Sequence, residues 1–176
     1  MFRLEKVKSE ETGKGGARLT DFNDFFRSVE RNTLAPLSRD RIKKILEKHG
    51  WSYQVNHDGD IGGAWQNGVY YFQVTGENDS VLCVRGTWRA NPELDDFILV
   101  NSLCNRWNME YYWPKTYARV TDERELMVHT ELPISYRSGL TDAQLDEHVR
   151  CALEASEDFF EHLAEKFPKA VADDEA

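Results

Sequence analysis

The sequence predicts an α+β domain: an antiparallel sheet of about six strands with helices packed on it, in the order ααββββαββα. Three observations predict it. With 176 residues, 40% of them hydrophobic and 12% aromatic, the chain is long enough to bury one real core. The hydrophobic period changes from near 3.6 to 2 after Gly50, separating helices from strands. The strand runs are joined by short turn signals instead of the long helical crossovers that parallel strands need, so the sheet is antiparallel.

Taken in order, residues 1–18 read as a charged, glycine-rich flexible leader. Residues 19–37 add a first helix and a linker, with Phe22, Phe25, Phe26 and Val29 at helical spacing and Thr20 or Asp21 available to cap. A single domain is expected over 19–167. After Pro36, Ser38 opens a helix through His49 that places Ile42, Ile45, Leu46 and His49 on one face, with Gly50 at its C-terminal end. A four-stranded meander follows, its turns marked by Asp58-Gly59, Asn67-Gly68 and the cluster Gly76–Ser80; Asn-Gly and Asp-Gly accept positive φ at low cost. Asn91-Pro92 signals the next helix, cap then proline, running to about Trp107.

The runs "YYWPKTYARV" and "ELMVHTELPIS" make a second hairpin joined at Thr121–Arg124, with Pro114 marking an edge or a bulge at its start. Thr141 caps the long final helix, whose apolar stripe is Leu145, Val149, Ala152, Leu153, Phe159, Phe160, Leu163 and Phe167. Residues 168–176 read as a flexible acidic tail.

The helix ending "LEKHGW", the hairpin "WQNGVYYFQV", "LCVRGTW", "VNSLCNRWN", "YARV" and "ELPISYRSGLTDAQLDEHV" occur in that order across residues 38–167. In this order they resemble the YbjN family, described as bacterial sensory transduction regulators with a fold similar to type III secretion chaperones. The resemblance implies a cytoplasmic, non-enzymatic protein that binds other proteins and forms a homodimer. It carries over no catalytic residue, and the helix around Phe22–Val29 lies outside it.

The chemistry read from the residues agrees with that implication. A net charge of −9, from 22 Lys and Arg against 31 Asp and Glu, disfavours a nucleic-acid footprint and an anionic membrane surface. No run approaches the length of a membrane span, and the amino terminus carries no signal-peptide pattern, so a cytoplasmic location is expected. Cys83, Cys104 and Cys151 form no CxxC pair and read as reduced thiols in apolar surroundings. The turn "NHDGDIGG" offers His57, Asp58 and Asp60, but counting from Asn56 the calcium-loop positions six and twelve are Ile61 and Asn67, so a tight turn explains it and no metal is expected.

His49, His57, His129, His148 and His162 show no zinc spacing, His148 and His162 lying on the last helix, exposed or flanking its buried stripe. There is no GxSxG elbow and no phosphate loop, so no enzyme and no cofactor is expected.

Strand alternation supplies the candidate site. One parity holds Leu82, Val84, Trp88, Leu126, Val128 and Leu132, the set that belongs under helices. The other gathers Arg85, Thr87, Tyr117, Arg119, His129 and Glu131. This second face is either a solvated surface laced with cross-strand charge pairs or a surface accepting a protein or peptide, where guanidinium groups pair with acidic side chains. A small-molecule or metal sensor with a pocket between sheet and helices is the alternative function. The helix from Pro92 to Trp107 is apolar nearly all round, so a cover on two sides is expected, from the sheet and from another helix or a second subunit. Mid-helix Asn101, among those apolar neighbours, calls for a specific hydrogen-bond partner.

Overall fold

The computed structural model describes residues 33–174. The leader and the helix expected around Phe22–Val29 lie outside the described residues. The first described helix, α1 (Arg39–Lys48), begins at Ser38, whose hydroxyl accepts the Arg41 amide. It ends on His49, followed by Gly50 at φ +69, the left-handed position that glycine takes without strain. Ile42, Ile45 and Leu46 are buried as the spacing predicts, and His49 reaches across to Asp146.

Six strands follow the expected pattern: β1 (Gln54–Val55), β2 (Ile61–Ala64), β3 (Gly68–Thr75), β4 (Val81–Trp88), β5 (Lys115–Val120) and β6 (Leu126–Ser135). They form one antiparallel sheet in the order β1-β2-β3-β4-β6-β5. The second hairpin therefore joins the meander through β6, leaving β5 at an edge. The Asp58-Gly59 turn is held by the Asn56 carboxamide, which accepts the amides of Asp58 and Asp60, with Gly59 at φ +84.

The Asn67-Gly68 turn works differently from its expectation, since neither residue has positive φ. Gly68 is required there by close packing: a Cβ would sit 2.8 Å from the rings of Phe160 and Tyr70.

Helix α2 (Phe97–Glu110) starts later than Asn91-Pro92 signals. Glu93 is extended and a 3-10 turn, Leu94–Asp96, intervenes, so Asp96 holds the cap position. At its other end, Tyr111–Trp113 do not begin the strand: the chain crosses a cis Trp113–Pro114 peptide and β5 opens at Lys115. Helix α3 (Asp142–Lys166) carries a full capping box between Thr141 and Gln144, and every residue of its predicted stripe is buried. The acidic tail expected from residue 168 is instead helical through Asp174, as α4 (Pro168–Asp174), with Ala170 buried beside Phe167.

All of the described helices lie on one side of the sheet. Tyr70, Phe72, Leu82, Val84 and Val128 face Leu145, Val149, Phe159 and Phe160 across the core. Helix α2 joins the same layer, with Trp107 packed 5.1 Å from Phe159 and Thr116 Oγ1 donating to the Cys104 carbonyl. Both expected covers of α2 are present, the sheet and the last long helix. A third strip of the helix nevertheless stays open, with Ile98 82% and Met109 86% exposed.

Asn101 is half-buried on α2, and the amide that does bond at this junction is Asn108's. Of the two expected places for His148, exposed or flanking the buried stripe, the structure excludes the first: the ring is buried, Tyr136 donates its phenol to Nδ1, and Nε2 meets the Leu132 carbonyl.

Candidate functional site

The opposite face of the sheet has no helix on it among the described residues. Two neighbouring rows of its register carry the predicted cluster: Arg85–Glu131–Lys115 and Thr87–His129–Tyr117, each read across β4, β6 and β5. Alternation puts these side chains on the side away from the core because their neighbours Val84, Leu132, Val128 and Thr116 point inward.

The cluster is wired in one direction. Arg85 Nη2 donates to the Tyr117 hydroxyl, which donates to Glu131 Oε1 at 2.8 Å. Lys115 Nζ donates to Glu131 Oε2 at 2.8 Å and lies 4.9 Å from the centre of the Tyr117 ring. Arg85 also stands 3.0 Å from Glu131. Burial pushes the Glu131 carboxyl upward, but its bonds to Lys115 and Tyr117 and the charges of Lys115 and Arg85 outweigh this and hold it below the usual range. Burial raises the Tyr117 phenol, so it stays protonated and able to donate.

The second row is built on His129, which is only 5% exposed in spite of facing outward. Tyr117 packs its ring 5.2 Å away and Thr87 Oγ1 lies 3.0 Å from Nδ1. Burial, reinforced by the charges of Arg85 and Arg119, lowers the His129 pKa to about 4. The ring is therefore neutral at ordinary pH.

Five of the six predicted residues thus touch one another; Arg119 stands one row further on, beside Met127, exposed and joined to the group only through its charge. Sequence reasoning missed Lys115. Its position two residues before Tyr117, on the same parity, was the available signal.

Among the described residues, the paired positions of β4, β6 and β5 put three cations (Arg85, Lys115 and Arg119) and one carboxylate, Glu131, on this face, and Asp60 adds a carboxylate beside β2. A protein of net charge −9 thus presents a positive surplus on the β4–β6–β5 part of its open sheet face. Beside the cluster, on β1–β3, lies a shallow cavity of about 480 Å³ whose lining includes Gln54, Asn56, Asp60, Gly62, Val69 and Tyr71. Gly62 keeps its floor low, since a Cβ there would meet the Tyr71 ring at 3.0 Å. The arrangement offers guanidinium and ammonium groups for carboxylates and an aromatic surface for contact area. The nearest thiol, Cys83, has its pKa raised by burial and by Glu131.

Comparison with known proteins now places the fold. Residues 38–165 match the YbjN family, whose description reads "Putative bacterial sensory transduction regulator". The chain belongs to the YbjN family. Among solved structures it is similar to YbjN from E. coli, itself described as a putative transcription regulator, with a TM-score of 0.65 and 13% identity over 76% of this chain and 97% of that one. At that identity the likeness concerns the fold alone. No curated protein matches the chain. Among the described residues no helix is long and apolar enough to cross a membrane. The YbjN match begins within the α1 cap at residue 38, so the segment containing Phe22–Val29 precedes it.

Proposed function

We propose that this YbjN-family chain is a non-enzymatic regulatory module that binds an acidic segment of another protein on the open face of its sheet. The observation that carries this reading is the cationic surplus of Arg85, Lys115 and Arg119 on an uncovered sheet face of an acidic protein. An acidic peptide gains charge-assisted hydrogen bonds there, and electrostatic attraction speeds its encounter in a way that salt weakens. The test is capture of partners from the native host's lysate by the wild type and by Arg85→Glu/Arg119→Glu. A partner retained by the wild type and lost by the variant supports the reading. Equal recovery by both would mean that the sheet face is not the binding surface.

A second feature favours self-association. The open side of α2 exposes Phe97, Ile98 and Leu99 at its first turn and Met109 near its end, large apolar side chains without a cover among the described residues. A twofold pairing of this strip makes a homodimer that leaves both sheet faces free. Light scattering of the wild type and of Ile98→Glu/Met109→Glu distinguishes the states: the wild type is expected at twice the chain mass and the variant at one. A small-molecule role for the cavity beside Tyr71 is the remaining alternative, and it calls for a ligand that raises the melting temperature in a thermal-shift screen.

A further inference from the structure

The β1 edge of the sheet is two residues long, too short to hold a further strand firmly. The β5 edge is longer, and Asn108 shows which way its backbone points. Thr116 turns its amide and carbonyl outward to the Asn108 carboxamide. At the far end of the strand the Thr121 amide bonds inward, to the Glu125 carbonyl of the same hairpin. Outward and inward residues alternate along an antiparallel ladder. Tyr117 and Arg119 therefore bond inward to His129 and Met127, and Ala118 and Val120 turn their amides and carbonyls outward. Asn108 covers Thr116 alone. Among the described residues nothing pairs with the outward groups of Ala118 and Val120, and the Val120 side chain is itself exposed.

Resting on the reading that the partner segment is acidic, we propose that this segment adds to the sheet as a strand, antiparallel to Ala118–Val120. Its residues opposite Ala118 and Val120 exchange backbone hydrogen bonds with them and point to the helical side, where an apolar side chain covers Val120. The residue between those two stands opposite Arg119 and points to the open face. A carboxylate there meets an exposed guanidinium whose other neighbour, Met127, carries no charge. Charge also sets the direction in which the acidic residues continue. Asp122 and Glu123 follow Val120 in the turn and repel a carboxylate at that end, whereas Tyr117 and Lys115 lie the other way. The same rule disfavours a second copy as the occupant. Two copies paired through both open residues about a twofold axis would set their Arg119 guanidinium groups directly opposite each other.

The test titrates full-length protein with a short peptide of alternating valine and aspartate and follows backbone amide exchange by NMR. Binding is expected to slow exchange at Ala118 and Val120 by roughly tenfold or more while β3 amides stay unchanged. Methylating the valine amides, which face the edge, is expected to abolish binding, and methylating the aspartate amides, which face away, to leave it. Arg119→Glu is expected to weaken the unmodified peptide by roughly tenfold, the size of one charge-assisted hydrogen bond. If both methylated peptides bind alike and Ala118 and Val120 stay unprotected, strand addition is overturned while the acidic-segment reading stands. If no acidic peptide binds at millimolar concentration, both fall. Equal protection by a peptide of alternating valine and lysine overturns the proposal as well. So does protection that rises with protein concentration alone, which assigns the edge to a second copy.

Discussion

Tyr117 donates its phenolic hydrogen to Glu131 at 2.8 Å while accepting one from Arg85, so a single hydroxyl joins the two opposite charges of the open sheet face. The bond is directional, because an arginine only donates and an ionised carboxylate only accepts. Removing the hydroxyl in Tyr117→Phe is expected to cost about 1 kcal/mol, and removing the charge in Glu131→Gln about 1–2 kcal/mol, because Arg85 and Lys115 then face each other unneutralised. Urea unfolding at constant m measures both, and the double variant is expected to cost less than the sum. Strict additivity would mean that the two side chains do not act together.

Asn108 makes a comparable link at the edge of the sheet. Its carboxamide donates to the Thr116 carbonyl and accepts the Thr116 amide, both at 2.9 Å, as a neighbouring strand would. One side chain of α2 thereby satisfies the outward-facing groups of Thr116 and blunts the start of edge strand β5 against pairing with other chains. Asn108→Ala is expected to cost about 1–2 kcal/mol. It should also raise the hydrogen-exchange rate of the Thr116 amide more than those of β3 amides. Uniform exchange across the sheet would contradict a local role.

Much of this was legible in the sequence because alternation and capping are local. Leu82, Val84, Leu126 and Val128 announce their face by parity alone, and Thr141 with Gln144 announces a helix start. The candidate cluster followed from the same parity. What stayed hidden depends on contacts distant in sequence. His148 sits on a helix flank that only the arrival of Tyr136 and the Leu132 carbonyl turns into interior. The signal Asn91-Pro92 misplaced a helix start because a 3-10 turn takes up the intervening residues, and the Gly68 turn is dictated by Phe160, some ninety residues away.

Gly86 shows the same dependence and yields a prediction. It lies in the row Tyr70–Gly86–Thr130, and a Cβ there would stand 2.5 Å from Thr130 Oγ1 and 2.6 Å from the Tyr70 ring. Tyr70 is fixed over that space because its hydroxyl donates to Glu157 of α3 at 2.7 Å, and the same carboxylate holds the Asn67 amide. Gly86→Ala is expected to destabilise by about 1–3 kcal/mol through overpacking. Pairing it with Tyr70→Leu, which removes the obstructing ring, should recover part of the added cost; no recovery would place the strain elsewhere.

The two buried histidines make stability depend on pH. Burial, with Arg85 and Arg119 adding to it, lowers His129 to about 4, Glu131 only partly opposing; burial lowers His148 too, against its bond to Leu132. In the unfolded chain both titrate near an ordinary value of about 6.5. Below that value the unfolded state binds more protons than the folded one, so stability falls as the pH drops toward 4 and is level between about 7 and 8. The depressed carboxyls of Glu131 and Asp146 extend the loss to lower pH, as each is protonated. Melting temperatures from pH 8 to 4.5 should therefore decline on the acid side, with a shallower decline in His129→Gln and in His148→Gln, whatever their starting stability. A wild-type melting temperature that stays level down to pH 4.5 would mean that neither imidazole is held neutral by the fold.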